Sequence, residues 1–317
     1  MTSGNNEFIQ DLTQAENELF ESLPSPPAMA EIQVTNIWIV EWLLPDDQPT
    51  GRLLYDWMND RRPGWSAYFS CKNKTEVIQA IQRAVIQTQN SDIIPVLHLE
   101  SHGCSTGLEG PDSNRGKELL TWEELTEPLQ QLNLATRCNL VVFVAACIGY
   151  AGILALCQGP RVPAVALIGP DDSVMPKNLL EGTKEFYRGW MDRNPTLDGI
   201  AEDASWEAGT VGFEYEPSVI LVYESCITSL IKSIRPDEQN RRKERLRRRM
   251  LAENSCSAPE IERRLAGLPP ILPWDELQRE WDKMFMIDLY PNNQERFGID
   301  MKAIREAIMK TRKVDLP

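Results

Sequence analysis

Residues 140–150 read LVVFVAACIGY, an apolar run that ends in Cys147 and is followed by a glycine. A run without polar alternation is typical of a strand that is covered on both faces, as in a parallel sheet. Other stretches rich in Val, Ile and aromatic residues predict further strands. The first run predicts a strand over Asn139–Ala146. The further strands are predicted over Ile32–Leu43, Trp65–Cys71, Ile94–Ser101 and Val162–Ile168.

Helical segments separate the predicted strands. Apolar residues recur at helical spacing in Thr75–Gln89, and Thr121–Thr136 opens with a capping box of Thr121 and Glu124. Further helices are predicted over Tyr150–Cys157 and Lys177–Met191. This alternation predicts an α/β fold with a mainly parallel sheet flanked by helices on both faces. The glycine-containing segment 104–120 is predicted to be a mobile substrate or activation loop.

Changes in composition predict three parts of the chain. Residues 1–31 are polar and then Pro-rich, which predicts an N-terminal arm and linker, and residues 32–230 hold the α/β domain. Residues 231–317 are charged and predict a helical C-terminal region with the basic run RRKERLRRR at 241–249. Such a run is typical of a solvated helix face, and binding of an acidic surface or a nucleic acid is the alternative.

The overall composition narrows the function classes. The net charge of −14 makes nucleic acid a poor general partner and favours basic ligands or peptide segments. The sequence shows neither a signal peptide nor a run of roughly 20 apolar residues, so a cytoplasmic protein outside the membrane is expected. Its seven cysteines include no C-x-x-C pair. Reduced thiols are therefore expected, with no metal site and no cofactor.

The chain has only two histidines, His98 and His102, both in the segment VLHLESHG at 96–103. His98 lies within the strand and is expected to be packed, whereas His102 ends it just before Gly103. Adjacent parallel strands lie about 5 Å apart, so His102 is expected to face Cys147 at the end of the next buried strand. The imidazole would act as a base toward the thiol, and the N–H groups of Gly103 and Cys147 would form an oxyanion hole. A helix that begins after Cys147 would stabilise a thiolate.

The order strand-His-Gly, helix, strand-Ala-Cys-x-Gly resembles the caspase-like clan of cysteine peptidases over roughly residues 32–225. Within that clan the chain looks most like the bacterial CHAT group, which is similar to caspases and separase. The caspase motif is Q-A-C-[RQG]-G with a histidine about 50 residues upstream; this chain has AACIG at 145–149. The resemblance implies that His102 is the catalytic base, Cys147 the nucleophile and Gly103 an oxyanion donor. It also implies an acyl-enzyme, a protein substrate, an activating or regulatory partner protein and a role in bacterial defence or regulated proteolysis.

Departures from the caspase motif bear on specificity. Ala145 stands where the motif has Gln, and Ile148 stands where it has Arg, Gln or Gly. These differences argue against cleavage after Asp. Relatives outside the true caspases cut after Arg or Lys and use acidic residues in the primary pocket. Asp171 and Asp172 follow a predicted strand and are candidate substrate-binding residues for a basic side chain. The alternative for this pair is a solvated turn that caps the next helix. The alternative for the whole chain is a non-catalytic interaction module with the same fold.

Overall fold

A mainly parallel sheet forms the centre of the fold. The computed structural model describes residues 12–27, 32, 34–91, 93–114, 116–153, 159–193, 213–252, 257–267 and 271–315. Within these residues the sheet has eight strands. They are β1 (Asn36–Trp42), β2 (Ser66–Ser70), β3 (Pro95–Cys104), β4 (Gly107–Pro111), β5 (Lys117–Thr121), β6 (Val141–Ala145), β7 (Ala166–Pro170) and β8 (Phe213–Pro217).

The strand order along the main sheet is β2-β1-β3-β6-β7-β8. The first five of these strands run parallel, and β8 pairs antiparallel with β7. The strands β4 and β5 form an antiparallel hairpin that continues from the end of β3. The carboxyl ends of β1, β3, β6 and β7 therefore lie along one edge, where ligands bind in sheets of this type.

The helices lie between and after the strands. They are α1 (Gln14–Ser22), α2 (Thr50–Arg61), α3 (Lys74–Asn90), α4 (Trp122–Ala135), α5 (Pro176–Arg193), α6 (Ser218–Ser233), α7 (Pro236–Ala252), α8 (Ala258–Ala266), α9 (Trp274–Met284), α10 (Gln294–Phe297) and α11 (Met301–Asp315). Short 3-10 helices span Gly149–Gly152 and Pro291–Asn293. The predicted capping box of Thr121 and Glu124 is present at the start of α4.

Both faces of the sheet are buried, because successive strand residues belong to different core clusters. Ile39, Val96 and Phe143 pack in one cluster with α2, α5 and α6. Their neighbours in sequence pack in the other cluster with α3 and α4. The predicted α/β fold, with a mainly parallel sheet and helices on both faces, is confirmed.

The prediction of a mobile loop at 104–120 is wrong, because most of this segment is the β4–β5 hairpin. β3 extends past its predicted end at Ser101, and its last residues pair with β4. A Cβ on Gly110 would lie 2.3 Å from the Trp42 ring, so the hairpin packs directly on this indole. The Trp42 indole also donates a hydrogen bond to the Pro111 carbonyl at 2.9 Å. Contact with β1 therefore orders a segment that has few β-branched residues of its own.

The described residues after 231 are mainly helical, as predicted. Trp281, Phe285 and Phe297 are buried and belong to the same core cluster as Phe143 of the sheet. The predicted division at residue 230 falls within α6, and the division into domains stays a prediction. Of the predicted arm, residues 14–22 form α1, while residues 1–11 and 28–31 lie outside the described residues. None of the described helices combines the length and the apolar composition that a membrane crossing requires.

Candidate functional site

The end of β3 packs tightly against Cys147. The register pairs Glu100 with Ala145, and continuing it by two residues brings His102 level with Cys147. A Cβ on Gly103 would lie only 2.2 Å from the Cys147 carbonyl oxygen. Only glycine permits so close an approach of two backbones. The two strand ends named by the sequence are therefore neighbours in space.

Cys147 lies in a strained turn after β6. The next residue, Ile148, has φ +54° in the left-handed region, which is unfavourable for a β-branched side chain. The Ile148 N–H donates to the Asp172 carbonyl at 3.1 Å, and the Gly149 N–H donates to the Ala146 carbonyl at 3.0 Å. These bonds hold the turn in place, so that the backbone strain lies next to the cysteine.

The predicted helix Tyr150–Cys157 is only partly described. The chain after Cys147 forms the four-residue 3-10 helix Gly149–Gly152, and residues 154–158 lie outside the described residues. A left-handed residue separates Cys147 from this short helix. The expected stabilisation of a thiolate by a helix N-terminus therefore has no counterpart in the described part of the chain.

The Cys147 thiol is half-buried and contacts the segment that follows β7. The Val174 N–H donates to Sγ at 3.5 Å, and Sγ donates to the Val174 carbonyl at 3.7 Å. In this arrangement the thiol is bonded to Val174 rather than to the imidazole.

The His102 imidazole is bonded to a residue that the sequence reasoning missed. Its Nε2–H donates to Asp47 Oδ2 at 2.8 Å, and the same oxygen accepts the Leu44 N–H at 2.9 Å. With the proton on Nε2, Nδ1 carries the lone pair that a general base needs. Asp47 lies in the segment PDDQP after β1. Its place beyond the carboxyl end of a strand is a sequence signal that could have identified it.

Two carboxylates lie just beyond the end of β7, and a third lies near the start of β8. Asp171 and Asp172 are exposed after β7, and the Asp172 carboxylate accepts the Ser173 N–H at 2.6 Å. The next helix begins only at Pro176, so Asp172 lies too far from its start to cap it. Glu214 lies opposite Gly169 in the β7–β8 register. Burial, and then the charge of Asp171, raise the pKa of Glu214. The sequence reasoning also missed Glu214, because β8 carried no recognised strand pattern.

His98 lies in the core, as the sequence predicts. It is fully buried and stacks on Phe143. The Tyr187 hydroxyl donates to its Nδ1 at 3.0 Å, and its Nε2–H donates to Glu100 at 2.8 Å. Burial, with a smaller contribution from the Glu100 charge, raises the pKa of Tyr187 well above its ordinary value, so the hydroxyl stays a donor. His98 is thus part of a buried network beneath the site.

The described part of the chain contains no group of three or more His, Cys, Asp or Glu side chains that could hold a metal ion. The groups at this edge of the sheet are instead a thiol, an imidazole and several carboxylates. Such groups can transfer protons and attack a carbonyl carbon.

Comparison with known proteins gives a structural match. The chain is similar to the complex of Porphyromonas gingivalis RgpB pro- and mature domains, with 13% sequence identity and a TM-score of 0.38. The match covers 59% of this chain and 48% of that chain, so this chain spans about half its length. No family model and no curated protein matches the sequence. The roles of the site residues therefore depend on their own geometry.

Proposed function

We propose that this chain is a caspase-like cysteine endopeptidase in which Cys147 is the nucleophile and His102 the base. The observation that carries the proposal is the close approach of Gly103 to the Cys147 carbonyl. It brings the strand end with the imidazole against the turn with the thiol. The Asp47 carboxylate bonded to His102 adds the third group, which orients a base in enzymes of this kind.

The proposed reaction uses groups that already lie at this edge. On substrate binding the Cys147 thiol turns from Val174 toward His102, and Nδ1 takes its proton. Sγ attacks the substrate carbonyl carbon, and the N–H groups of Gly103 and Cys147 stabilise the oxyanion. The intermediate collapses to an acyl-enzyme, and the leaving amine takes the proton from His102. Water, deprotonated by His102, then hydrolyses the thioester and restores the thiol.

The proposed substrate has a basic side chain at the cleaved position. Asp171 and Asp172 are exposed beside the Cys147 turn, and Glu214 lies close to them. The pKa of Glu214 is raised in part by Asp171, and a guanidinium or ammonium group would relieve this repulsion. The resemblance to the CHAT group supports a protein substrate, an activating partner and a role in bacterial defence. The reduced thiols expected from the cysteine pattern support a cytoplasmic location.

One observation favours a second candidate function. The Cys147 thiol is hydrogen-bonded to the Val174 carbonyl and the His102 imidazole to Asp47, so neither hydrogen bond joins the thiol to the base in this conformation. A chain that stays in this conformation would be a non-catalytic interaction module.

A peptide-library cleavage profile distinguishes the two functions. We expect the wild-type chain to cut after Arg or Lys and the Cys147→Ala variant to cut nothing while keeping its melting temperature. Asp171→Ala and Asp172→Ala should weaken the preference for a basic residue. Cleavage that survives in Cys147→Ala would refute the nucleophile. A folded wild-type chain that cuts no peptide would favour the interaction module.

A further inference from the structure

The segment that carries Asp47 is short and fixed at both ends. Residues 43–49 join β1 to α2 and contain Pro45 and Pro49. Within it the Asp47 N–H donates to the Leu44 carbonyl at 3.0 Å, and its carboxylate accepts the Leu44 N–H. The position of Asp47 relative to His102 therefore depends on where α2 begins.

The start of α2 has no local cap. Its N-cap residue, Pro49, makes no side-chain hydrogen bond, and the first turn has no acidic residue. The N–H groups of a first helical turn need acceptors from elsewhere. The Arg52 N–H donates to Glu41 Oε2 at 3.0 Å, and the Thr50 hydroxyl donates to Glu100 Oε1. The Glu41 carboxylate thus takes the place of the missing cap, and the Glu100 carboxylate holds the first residue of α2 through its side chain.

These two carboxylates are neighbours in the interior. Glu41 and Glu100 are register partners on β1 and β3, and they are only 6% and 4% exposed. Burial of two adjacent carboxylates is unfavourable unless donors satisfy them. The other oxygen of Glu41 accepts the Tyr68 hydroxyl at 2.6 Å, and the other oxygen of Glu100 accepts His98. The positive end of α2 adds further stabilisation.

Gly51 lets the helix start lie directly on the strand. A Cβ at this position would lie 2.9 Å from Glu41 Oε2 and 3.2 Å from Ile39 Cγ2. A side chain here would displace either the Glu41 carboxylate or the first turn of α2, and either movement would disturb the contact between them. The contact between the helix and the two carboxylates is therefore built into the sequence.

We propose that Glu41 and Glu100 are positioning residues that act on His102 through α2 and Asp47. By holding Arg52 and Thr50 they fix the 43–49 segment, so that the Asp47 carboxylate keeps the His102 proton on Nε2. The catalytic consequence rests on the proposed peptidase function, whereas the positioning itself can be measured without any substrate.

The test uses a pair of variants at Thr50 with a matched control. Thr50→Val removes the hydroxyl donor at nearly constant volume, and Thr50→Ser keeps it. Thr126→Val makes the same change at a buried hydroxyl of α4, which donates to the Trp122 carbonyl at 3.1 Å on the other face of the sheet. Gly51→Ala is a second route, because its Cβ disturbs the contact between Glu41 and the start of α2 without removing any hydrogen-bonding group.

The readout is the ¹⁵N spectrum of the imidazoles. With only two histidines in the chain, a His102→Gln variant assigns the signals. We expect a single Nε2–H tautomer for His102 in the wild type, Thr50→Ser and Thr126→Val. In Thr50→Val and Gly51→Ala we expect a mixture of tautomers and faster hydrogen exchange of the Leu44 amide. If the chain is a peptidase, the same two variants should lose kcat on the order of 10–100-fold with KM nearly unchanged.

The outcomes separate the two proposals. The positioning role would be overturned if Thr50→Val and Gly51→Ala lowered the melting temperature but kept the wild-type His102 ¹⁵N signal and the wild-type hydrogen exchange of the Leu44 amide. The two carboxylates would then have only a structural role. A wild-type chain that cuts no peptide, while its His102 signal responds as expected, would favour the interaction module over the peptidase and support the positioning.

Discussion

The candidate site depends on the absence of a side chain at Gly103. Its backbone lies against the Cys147 carbonyl, whereas the sequence identified Gly103 only as a candidate oxyanion donor. The sequence could not show this contact, because its partner lies 44 residues away in the turn after another strand. The structure supplies that partner.

Gly103→Ala should therefore disrupt the site. The new Cβ would lie 2.2 Å from the Cys147 oxygen, so either β3 or the Cys147 turn must move. We expect a loss of stability of about 1–3 kcal/mol and a loss of peptidase activity, measured by thermal unfolding and peptide cleavage.

Gly267→Ala is the control for Gly103→Ala. The nearest atom to its new Cβ is 3.7 Å away, and its φ is negative. Stability should stay the same or rise by less than about 1 kcal/mol. An active Gly103→Ala variant with the melting temperature of the wild type would contradict the packing described for this strand end.

Asp47 and Ile148 show where reasoning from the sequence stopped. His102 and Cys147 were identified by their positions at strand ends, but the contact of Asp47 with His102 joins residues that are 55 apart and depends on the fold of the 43–49 segment. The left-handed conformation of Ile148 could not be predicted from the sequence, because isoleucine normally avoids this region of backbone dihedral angles. Both features are imposed by tertiary contacts.

At the level of the elements, the parallel strands were predictable and the antiparallel ones were not. Continuous apolar runs identified β1, β3, β6 and β7, because both faces of these strands are buried. The hairpin of β4 and β5 depends on its contact with Trp42, and β8 depends on pairing with β7. These three strands owe their form to neighbours rather than to their own residues.

The rim formed by β7 and β8 should have a characteristic pH dependence. The pKa of Glu214 is raised by burial and then by Asp171, so the folded state binds its proton more tightly than the unfolded state. Ionised Glu214 therefore destabilises the fold at neutral pH, and the penalty disappears as the pH falls through its folded pKa toward the unfolded value. We expect Glu214→Gln to raise the melting temperature at pH 7 and to have little effect near pH 4.

Glu224 provides the control for Glu214. Burial alone raises the pKa of Glu224, so Glu224→Gln should show the same sign. When combined with Asp171→Asn, the gain from Glu214→Gln should shrink, whereas the gain from Glu224→Gln should not. If the changes in melting temperature caused by Glu214→Gln and Asp171→Asn were additive in the double variant, the two carboxylates would not interact.

For the molecule as a whole, the C-terminal helices pack on the same core as the sheet. Phe285 and Phe143 belong to one buried cluster. Arg161, in the connection between β6 and β7, makes a two-pronged ion pair with Asp288 at 2.8 and 2.7 Å. Composition predicted the helical character of the C-terminal region, but only the three-dimensional contacts reveal this shared packing.

The Arg161–Asp288 pair should stabilise the fold at neutral pH but not in acid. Arg161 lowers the pKa of Asp288, so its contribution is present above the unfolded pKa and is lost as the pH falls through the lower folded pKa. We expect Asp288→Asn to cost less than about 1 kcal/mol at pH 7, because the pair is partly exposed. The cost should fade below about pH 4.

Urea unfolding at several pH values measures the effect of Asp288→Asn. Glu306→Gln, at an exposed carboxylate of α11, is the control and should change stability little at any pH. If the cost of Asp288→Asn stayed constant down to pH 2, the ion pair would not be its cause.

The most direct measurement is the site of covalent labelling by a peptidyl acyloxymethyl ketone with Arg at the reactive position. We predict that mass spectrometry finds the adduct on Cys147 alone among the seven cysteines. His102→Ala should slow labelling on the order of 10²–10⁴-fold, and Asp47→Asn should slow it less. Glu109→Gln should leave it unchanged, because Glu109 faces His102 across the β3–β4 register while the imidazole bonds to Asp47. An adduct on another cysteine, or labelling of Cys147 at the wild-type rate without His102, would contradict a His102–Cys147 peptidase.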